Sequence, residues 1–402
     1  MAEDFSIHRK TAIVGVGSTE YYRRGESLPR TQVEMACSAI MTAMDDAGLP
    51  MADLDGLCFY SHGADAALIA QTLGMPELKF TAGLTGGGGG SAGSVGLAAA
   101  GIVSGHAKVV ACVLTLQQAF RRLGAAFAPQ GGPSGGGAYA YVPTPEKDFY
   151  LPYGLVGPGQ TFAMLAQRHM HLYGTKREHF AEVAMSERAN AITRPTSLMR
   201  EPLTLDQYFN ARMIADPLCL YDFCQECDGA VAVIVVSADR AKDLKHPPAY
   251  VLGSSQGGHG RWGQAIMWQN MPDDYFASSG HRPTAKNVYE RAGVGPADVD
   301  VALLYDHFTP MIIMQLEDYG FCPIGEGGRF VADGNIRFGT GSIPVNTHGG
   351  NLSEAYIIGM THIREGVEQI RGAAVNQVEG AEIALVTGGP AALPTSALIL
   401  GK

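Results

Sequence analysis

Residues 47–63, AGLPMADLDGLCFYSHG, return as residues 292–308, AGVGPADVDVALLYDHF, so the chain carries one motif twice. Ala52-Asp53-Leu54-Asp55 falls on Ala297-Asp298-Val299-Asp300, Tyr60 on Tyr305 and His62 on His307. A strand-like opener precedes each copy, AIVGVGS at 12–18 and AYVLGSS at 249–255. A glycine-rich turn, a small-residue helix and an apolar strand follow each one. In the first half these are TGGGGGSAGSVGLAAAGIVSG and VVACVLTL; in the second, HGGNLSEAYIIGMTHIREG and EIALVTGG. Such long-range self-similarity marks one supersecondary unit used twice. Short apolar strands alternating with helices call for mostly parallel sheets covered on both faces. The chain therefore reads as an α/β protein of two duplicated, mostly parallel βαβ units, one over residues 1–246 and one over 247–402.

An insertion over about residues 117–225 separates the repeated parts of the two halves. It opens on a Gly/Pro-rich stretch with four tyrosines, whose tip at 129–138 has the composition of a linker. Two helix-like runs follow, QTFAMLAQRHMHLYG and KREHFAEVAMSERANAI. Compact insertions of this length commonly serve as lids or partner surfaces. Elsewhere, Val33, Met35, Ala36, Ile40, Met44 and Ala47 recur near helical spacing, and Gly48 stands where a C-terminal cap belongs.

A net charge of −10 argues against nucleic acid as the main ligand, because too few cations are available to follow a phosphate backbone. A local group of Arg or Lys still suffices for an anion such as coenzyme A. The N-terminus MAEDFSIHRK has no apolar core, and the longest apolar run, AVAVIVV, suits a buried strand and not a membrane span. Seven scattered cysteines fit reduced thiols and a cytoplasmic location. Cys219, Cys224 and Cys227 group together, but a zinc site needs a fourth ligand; a turn into the following strand is the favoured reading, and no metal is expected.

The doubled unit, the glycine turn before a small-residue helix and the second-half NTHGGN turn together resemble the thiolase superfamily. AIVGVGSTEY, DDAGL…DLDGL, ECDGAVAVIV and LLYDHFTP match the sterol-carrier or lipid-transfer-type branch in order and spacing. The resemblance covers nearly the whole chain. It implies a thiolase fold of five layers (αβαβα) with an inserted loop domain, a homodimer, and coenzyme A thioesters as substrates.

The reactive positions depart from that family. The nucleophilic cysteine's place falls at about Gly89, and no cysteine lies between Cys58 and Cys112. The second cysteine's place holds Val386 or Thr387. The family's GGxxxxGHPxGxxG motif becomes GGNLSEAYIIGMTH, so Tyr356 replaces a histidine. Its HD-x-F block becomes Tyr305-Asp306-His307-Phe308, so Tyr305 replaces another.

Acyl transfer needs a thiolate, so covalent chemistry is not expected. Ser91 is a substitute nucleophile only if an imidazole-type base stands beside it. Two tyrosines instead supply a pair of proton carriers. A helix beginning near Asn351 is expected to put Tyr356 in its first turn, where the macrodipole favours phenolate. Tyr305 follows the strand-like VALL, at a strand end where catalytic groups of open α/β sheets gather. Two proton transfers and a thioester enolate, with no nucleophile, describe retro-aldol cleavage. Tyr356 is read as base toward the β-hydroxyl and Tyr305 as acid toward the enolate carbon, with the reverse assignment open.

Backbone N–H groups around Gly89, Gly90 and Ser91 are candidate donors to the thioester oxygen. Asn346, His348, Gly349 and Gly350 are candidate lining residues, and Asp306 or His307 a candidate orienting residue. Tyr60 and His62 read as structural echoes of the duplication. Lost cysteines and gained tyrosines look like the thiolase-like aldolases of bacterial steroid side-chain degradation. That resemblance implies cleavage of a β-hydroxyacyl-CoA, most like a steroid side-chain thioester, to a 17-keto steroid and propionyl-CoA. It also implies a partner with an OB-fold domain and no cofactor beyond the coenzyme A that the substrate carries. The competing readings are a noncatalytic lipid or acyl-CoA carrier and a degenerate acyltransferase using Ser91.

Overall fold

The computed structural model describes residues 6–60, 65–84, 88–119, 151–155, 157–258, 276–391 and 394–402. His62, Gly86, Gly87 and the insertion's tip at 129–138 lie outside them, and Tyr60 is described in its backbone alone. The first half supplies β1 (Thr11–Ser18), β2 (Gly56–Tyr60), β3 (Phe80–Leu84), β4 (Val109–Leu116) and β5 (Cys227–Ser237). The second supplies β6 (Ala249–Gly257), β7 (Val301–Leu303), β8 (Ile383–Gly388) and β9 (Thr395–Gly401). Seven helices matter here: α1 (Gln32–Ala47), α2 (Gly90–Val103), α3 (Pro158–Tyr173), α4 (Arg177–Ile192), α5 (Arg282–Ala292), α6 (Thr309–Asp318) and α7 (Met360–Arg371).

The strand order shows the duplication directly. The first half runs β3-β2-β4-β5-β1, with β5 antiparallel to its neighbours and the other four strands in one direction. The second runs β7-β8-β9-β6, with β9 the antiparallel strand. Val345, bridged in parallel to Ala302, stands where the first half has β3. The halves join where β1 and β6 pair antiparallel through Ala12–Tyr250 and Ile13–Ala249, as strands related by a local two-fold do.

The repeated Asp residues explain why the motif is kept. Asp55 Oδ1 accepts from the N–H groups of Lys108 and Val109, both at 2.9 Å, fixing the start of β4. Asp300 Oδ2 accepts from Glu382 and Ile383, again at 2.9 Å, fixing the start of β8. Gly48 and Gly293 close α1 and α5 in the left-handed region, each at φ 70°, where a side chain is disfavoured.

Alternation along the strands builds the layers. In β5, Val231, Val233 and Val235 face the central layer, while Ala232, Ile234 and Val236 face α1. In the second half, Ala384, Val386, Leu398 and Leu400 face the central layer, and Leu385, Ala397 and Ile399 the opposite side. Helices α2 and α7 lie between the sheets and touch strands of both halves, whereas α1 and α5 cover the outer faces. The result is the expected αβαβα stack. The helix-like runs of the insertion form α3 and α4, which pack on the second half beside α6.

Candidate active site

Tyr305 and Tyr356 meet in the central layer: their hydroxyl oxygens are 3.0 Å apart. Tyr305 is 0% exposed and Tyr356 8%. Tyr305 lies two residues past the end of β7, and its backbone is held by residues distant in sequence. Its N–H donates to Thr387 Oγ1 at 2.9 Å, and its carbonyl accepts from Gln315 Nε2 at 2.8 Å. Thr387 Oγ1 donates in turn to Gln315 Oε1 at 2.6 Å, closing the loop. Of the two residues expected at the second cysteine's place, Thr387 fixes the first tyrosine and Val386 lies in the central core.

Tyr356 stands in an irregular stretch between a π-helical turn, Gly350–Glu354, and α7. It is not in the first turn of a helix, so the expected macrodipole assistance does not apply. The difference lies in Asp306. This buried carboxylate accepts from the N–H groups of Asn351 and Leu352, both at 2.9 Å, and from His362 Nε2 at 2.9 Å. These bonds wind the chain into one wide turn and then release it, so that Ala355 is extended at φ −167°. Ile358 then adopts φ 45° and Gly359 φ 79° before α7 begins. A β-branched residue in the left-handed region is strained backbone of the kind that collects at functional sites. Cys227 grips the tyrosine itself: Tyr356 N–H donates to its Sγ at 3.1 Å, and Sγ–H donates to Tyr356 O at 3.4 Å. Burial pushes this thiol up to about 12, so it keeps the proton that the second bond needs.

The far end of the turn is pinned by charge. Glu354 pairs with Arg194 at 2.7 Å and with Arg364, and Arg194 also reaches Glu365 and Glu368 (2.6 Å). Arg364 Nη1 donates to Tyr21 Oη at 2.6 Å.

Asp306 shares its surroundings with Glu187 of α4. Burial alone would raise Asp306, but the hydrogen bond and charge of His362, with further hydrogen bonds from Glu187 and Asn351, hold it below the usual carboxylate range. Burial, then repulsion from Asp306, pushes Glu187 well above that range. The two opposite shifts favour the proton on Glu187 and the negative charge on Asp306, whose carboxylate anchors the turn.

The candidate residues separate into groups. Asn346 Oδ1 accepts from Leu304 N, and its Nδ2 donates to Leu304 O and Glu187 Oε1, all at 2.8 Å. It fixes the chain just before Tyr305. A Cβ at Gly349 would lie 2.6 Å from that of Ala191, and one at Gly350 would collide with the Asp306 carboxylate. Both glycines serve close packing of the turn. His348 is buried, pushed well down by burial and the neighbouring His362, and its ring nitrogens have no hydrogen-bond partner among the described residues. Its ring meets His362 edge-on at 4.6 Å. His307 packs edge-on against Tyr305 at 5.2 Å and is pushed down to about 3 by burial.

In the glycine run, Gly88 faces the tyrosines. A Cβ there would lie 2.6 Å from Tyr305 Oη, whereas one at Gly89 would collide with the Pro394 carbonyl. Of these two glycines it is therefore Gly88 that packs against Tyr305, while Gly89 packs against the backbone at Pro394. Gly90 opens α2, and the first N–H groups of a helix have no partner within it. Ser91 Oγ contacts only the Gly88 carbonyl, at 3.5 Å, among the described hydrogen bonds, and no imidazole bonds to it.

His362, Glu187, Gln315 and Cys227 complete the site and were not anticipated. His362 stacks on Tyr305, with ring centres 6.2 Å apart. Only Cys227 left a sequence signal, and the CQEC spacing pointed to other chemistry. A cleft of about 770 Å³ opens among the insertion, the first half and the second-half turn at Leu352 and Ser353. Arg23, Arg24, Arg188 and Arg212 stand in its wall, and Cys224, Phe308 and Leu352 line it, the first and last bonded through their N–H groups to His307 and Asp306, which follow Tyr305.

Comparison with known proteins places the chain in a family. The family described as Thiolase C-terminal domain-like matches residues 263–402. The chain is 40% identical to the steroid side-chain-cleaving aldolase of Thermomonospora curvata, over 97% of each chain. It is 38% identical to the 17-hydroxy-3-oxo-4-pregnene-20-carboxyl-CoA lyase of Mycobacterium tuberculosis, over 98% of this chain and 99% of that one. The solved Ltp2-ChsH2(DUF35) aldolase superposes with a TM-score of 0.88 at 38% identity, covering 98% of both chains. The chain belongs to the thiolase superfamily, among its thiolase-like aldolases.

Proposed function

We propose that the chain is a carbon–carbon lyase that cleaves a β-hydroxyacyl-CoA by retro-aldol chemistry, with a steroid side-chain thioester as substrate and a 17-keto steroid and propionyl-CoA as products. The names of its relatives support the reaction class. The observation that carries the mechanism is the 3.0 Å contact between Tyr305 Oη and Tyr356 Oη.

Two hydroxyls in contact pass a proton without either tyrosine ending charged. Tyr356 Oη accepts the proton of the substrate β-hydroxyl and gives its own to Tyr305 Oη. The Cα–Cβ bond breaks as the ketone forms, and its electron pair enters the thioester enolate. In the same movement Tyr305 releases its own proton to Cα, so neither phenol carries two protons and the charge on the enolate is quenched as it develops. Every proton is accounted for, and no covalent intermediate arises. The second hydroxyl must stand within hydrogen-bond reach of the first, as it does here. Burial between the sheets keeps water from intercepting the enolate.

The arginines of the cleft suit the phosphates of coenzyme A, with the acyl end reaching inward past Phe308 and Leu352. The remaining elements of the reading are a homodimer and a heteromeric complex with a partner of the DUF35, OB-fold type, the pairing named in the similar solved aldolase. None of the described helices is long and apolar enough to cross a membrane.

The test is product analysis. The chain, purified with its partner, is incubated with a steroid β-hydroxyacyl-CoA and analysed by mass spectrometry. Equal amounts of 17-keto steroid and propionyl-CoA are expected; unchanged substrate, or an acyl group attached to Ser91, would overturn the reading.

A further inference from the structure

Two successive glutamines after β4 are treated in opposite ways by the fold. Gln117 Nε2 donates to Ser27 Oγ and Arg30 O, both at 2.8 Å, on the side where α1 begins. Gln118 has its backbone N–H fixed on Asp228 Oδ1 at 2.7 Å, but its side chain is spent on nothing. That residue is 2% exposed, and neither Oε1 nor Nε2 has a hydrogen-bond partner among the described residues. Buried amides in native proteins are hydrogen-bonded, and an unpaired one calls for an explanation, such as a water, an ion or a catalytic role.

Register shows where that amide lies. Leu114 and Leu116 of β4 face the central layer, and strand alternation places Gln118 on the same face. The β4–β5 ladder ends where Leu116 pairs with Gly229, and the bond from Gln118 N–H to Asp228, next to Cys227 in sequence, keeps the chain beside β5. Cys227 holds the backbone of Tyr356, and on its other side it pairs with Arg23 of the cleft wall. Gln118 is thus anchored on Asp228, the neighbour of the Cys227 that holds Tyr356 and pairs with Arg23.

We propose that Gln118 is a substrate-contacting catalytic residue whose Nε2–H donates to the thioester oxygen of the β-hydroxyacyl-CoA and strengthens as that oxygen becomes the enolate. This rests on the aldolase reading above. A neutral donor suits the step: it stabilises a developing oxyanion in an apolar layer and adds no charge to the resting site. The amide's acceptor, Oε1, suits the pantetheine N–H that a coenzyme A thioester carries a few bonds beyond its sulfur.

The test is Gln118→Met, which keeps the volume and removes the hydrogen-bonding groups. A structural amide would lower the melting temperature when removed, whereas an unpaired one leaves it unchanged or raises it. The expected result is an unchanged or higher Tm, a kcat lower by about 100-fold or more and a KM within about threefold of wild type. In isotope-edited infrared spectra, a bound thioester lacking the β-hydroxyl should show a lowered carbonyl stretch in wild type but not in the variant. Should Gln118→Met fail to fold, Gln118→Glu at a pH where it is ionised removes the donor and repeats the comparison. A kcat within about threefold of wild type, or an unmoved carbonyl stretch, overturns the role of Gln118 alone. Absence of cleavage by the wild-type complex overturns the aldolase reading and this role with it.

Discussion

Gly88→Ala adds a side chain directly against Tyr305, and its effect follows from distances. The new Cβ would lie 2.6 Å from Tyr305 Oη and 2.9 Å from Cζ. The ring must retreat by about 0.8 Å to reach ordinary contact at 3.4 Å. It has little room, because His307 and His362 flank it and its backbone is tied to Thr387 and Gln315. Retreat pulls Oη away from a partner now 3.0 Å distant. A displacement of ~1 Å in a reacting group costs on the order of 100-fold in rate. Gly88 also has φ 92°, where a side chain costs about 1–2 kcal/mol, and overpacking adds about 1–3 kcal/mol. Gly74→Ala is the control: its φ is 64° and no atom lies within 4 Å of the new Cβ, so it carries backbone strain alone. The assay is steady-state ketone release together with thermal melting. Gly88→Ala should lose about 100-fold in kcat and melt lower, while Gly74→Ala melts slightly lower at full activity. A Gly88→Ala enzyme within about threefold of wild type would refute the close placement of Gly88 against Tyr305.

Two further outcomes follow from the groups that hold the pair. Glu187 has a folded-state pKa above its unfolded value of about 4.3, so its contribution favours the folded state at low pH and is lost as pH rises through the folded pKa. Glu187→Gln mimics the protonated acid, so melting followed across pH 5 to 8 should decline less with rising pH than in wild type; an equal or steeper decline would contradict the proton on Glu187. Cys227→Ala removes both bonds to the Tyr356 backbone and should lower kcat by about 10-fold or more with KM little changed, an effect Cys227→Ser partly restores; full activity in the alanine variant would show that the thiol positions nothing.

Much of this fold was legible because its determinants are local and occur twice. The Asp55 and Asp300 clamps, the Gly48 and Gly293 caps and the alternation of β5 each leave a residue type at a fixed offset. Both tyrosines were legible too, since each stands at a place where the repeat and the family pattern predict another residue. Their partners were not. Glu187 reaches Asp306 from the insertion, and no spacing links the two. The π-helical turn arises because a buried carboxylate gathers two N–H groups, whereas GGNLSEAY by itself reads as a helix start. Five consecutive glycines carry no register, so only the packing of Tyr305 singles out Gly88. CQEC drew attention as a pair of thiols, but one lines the cleft and the other grips a backbone.

The most direct test compares wild type with Tyr356→Phe and Tyr305→Phe, each purified with its partner, in single-turnover cleavage of a β-hydroxyacyl-CoA. A two-hydroxyl proton relay predicts that each substitution alone removes ketone release by about 1,000-fold or more while thioester binding and melting temperature stay near wild type. Because the hydroxyls act as a unit, the double variant should be hardly slower than either single one. Cleavage at the wild-type rate with either hydroxyl gone would contradict it.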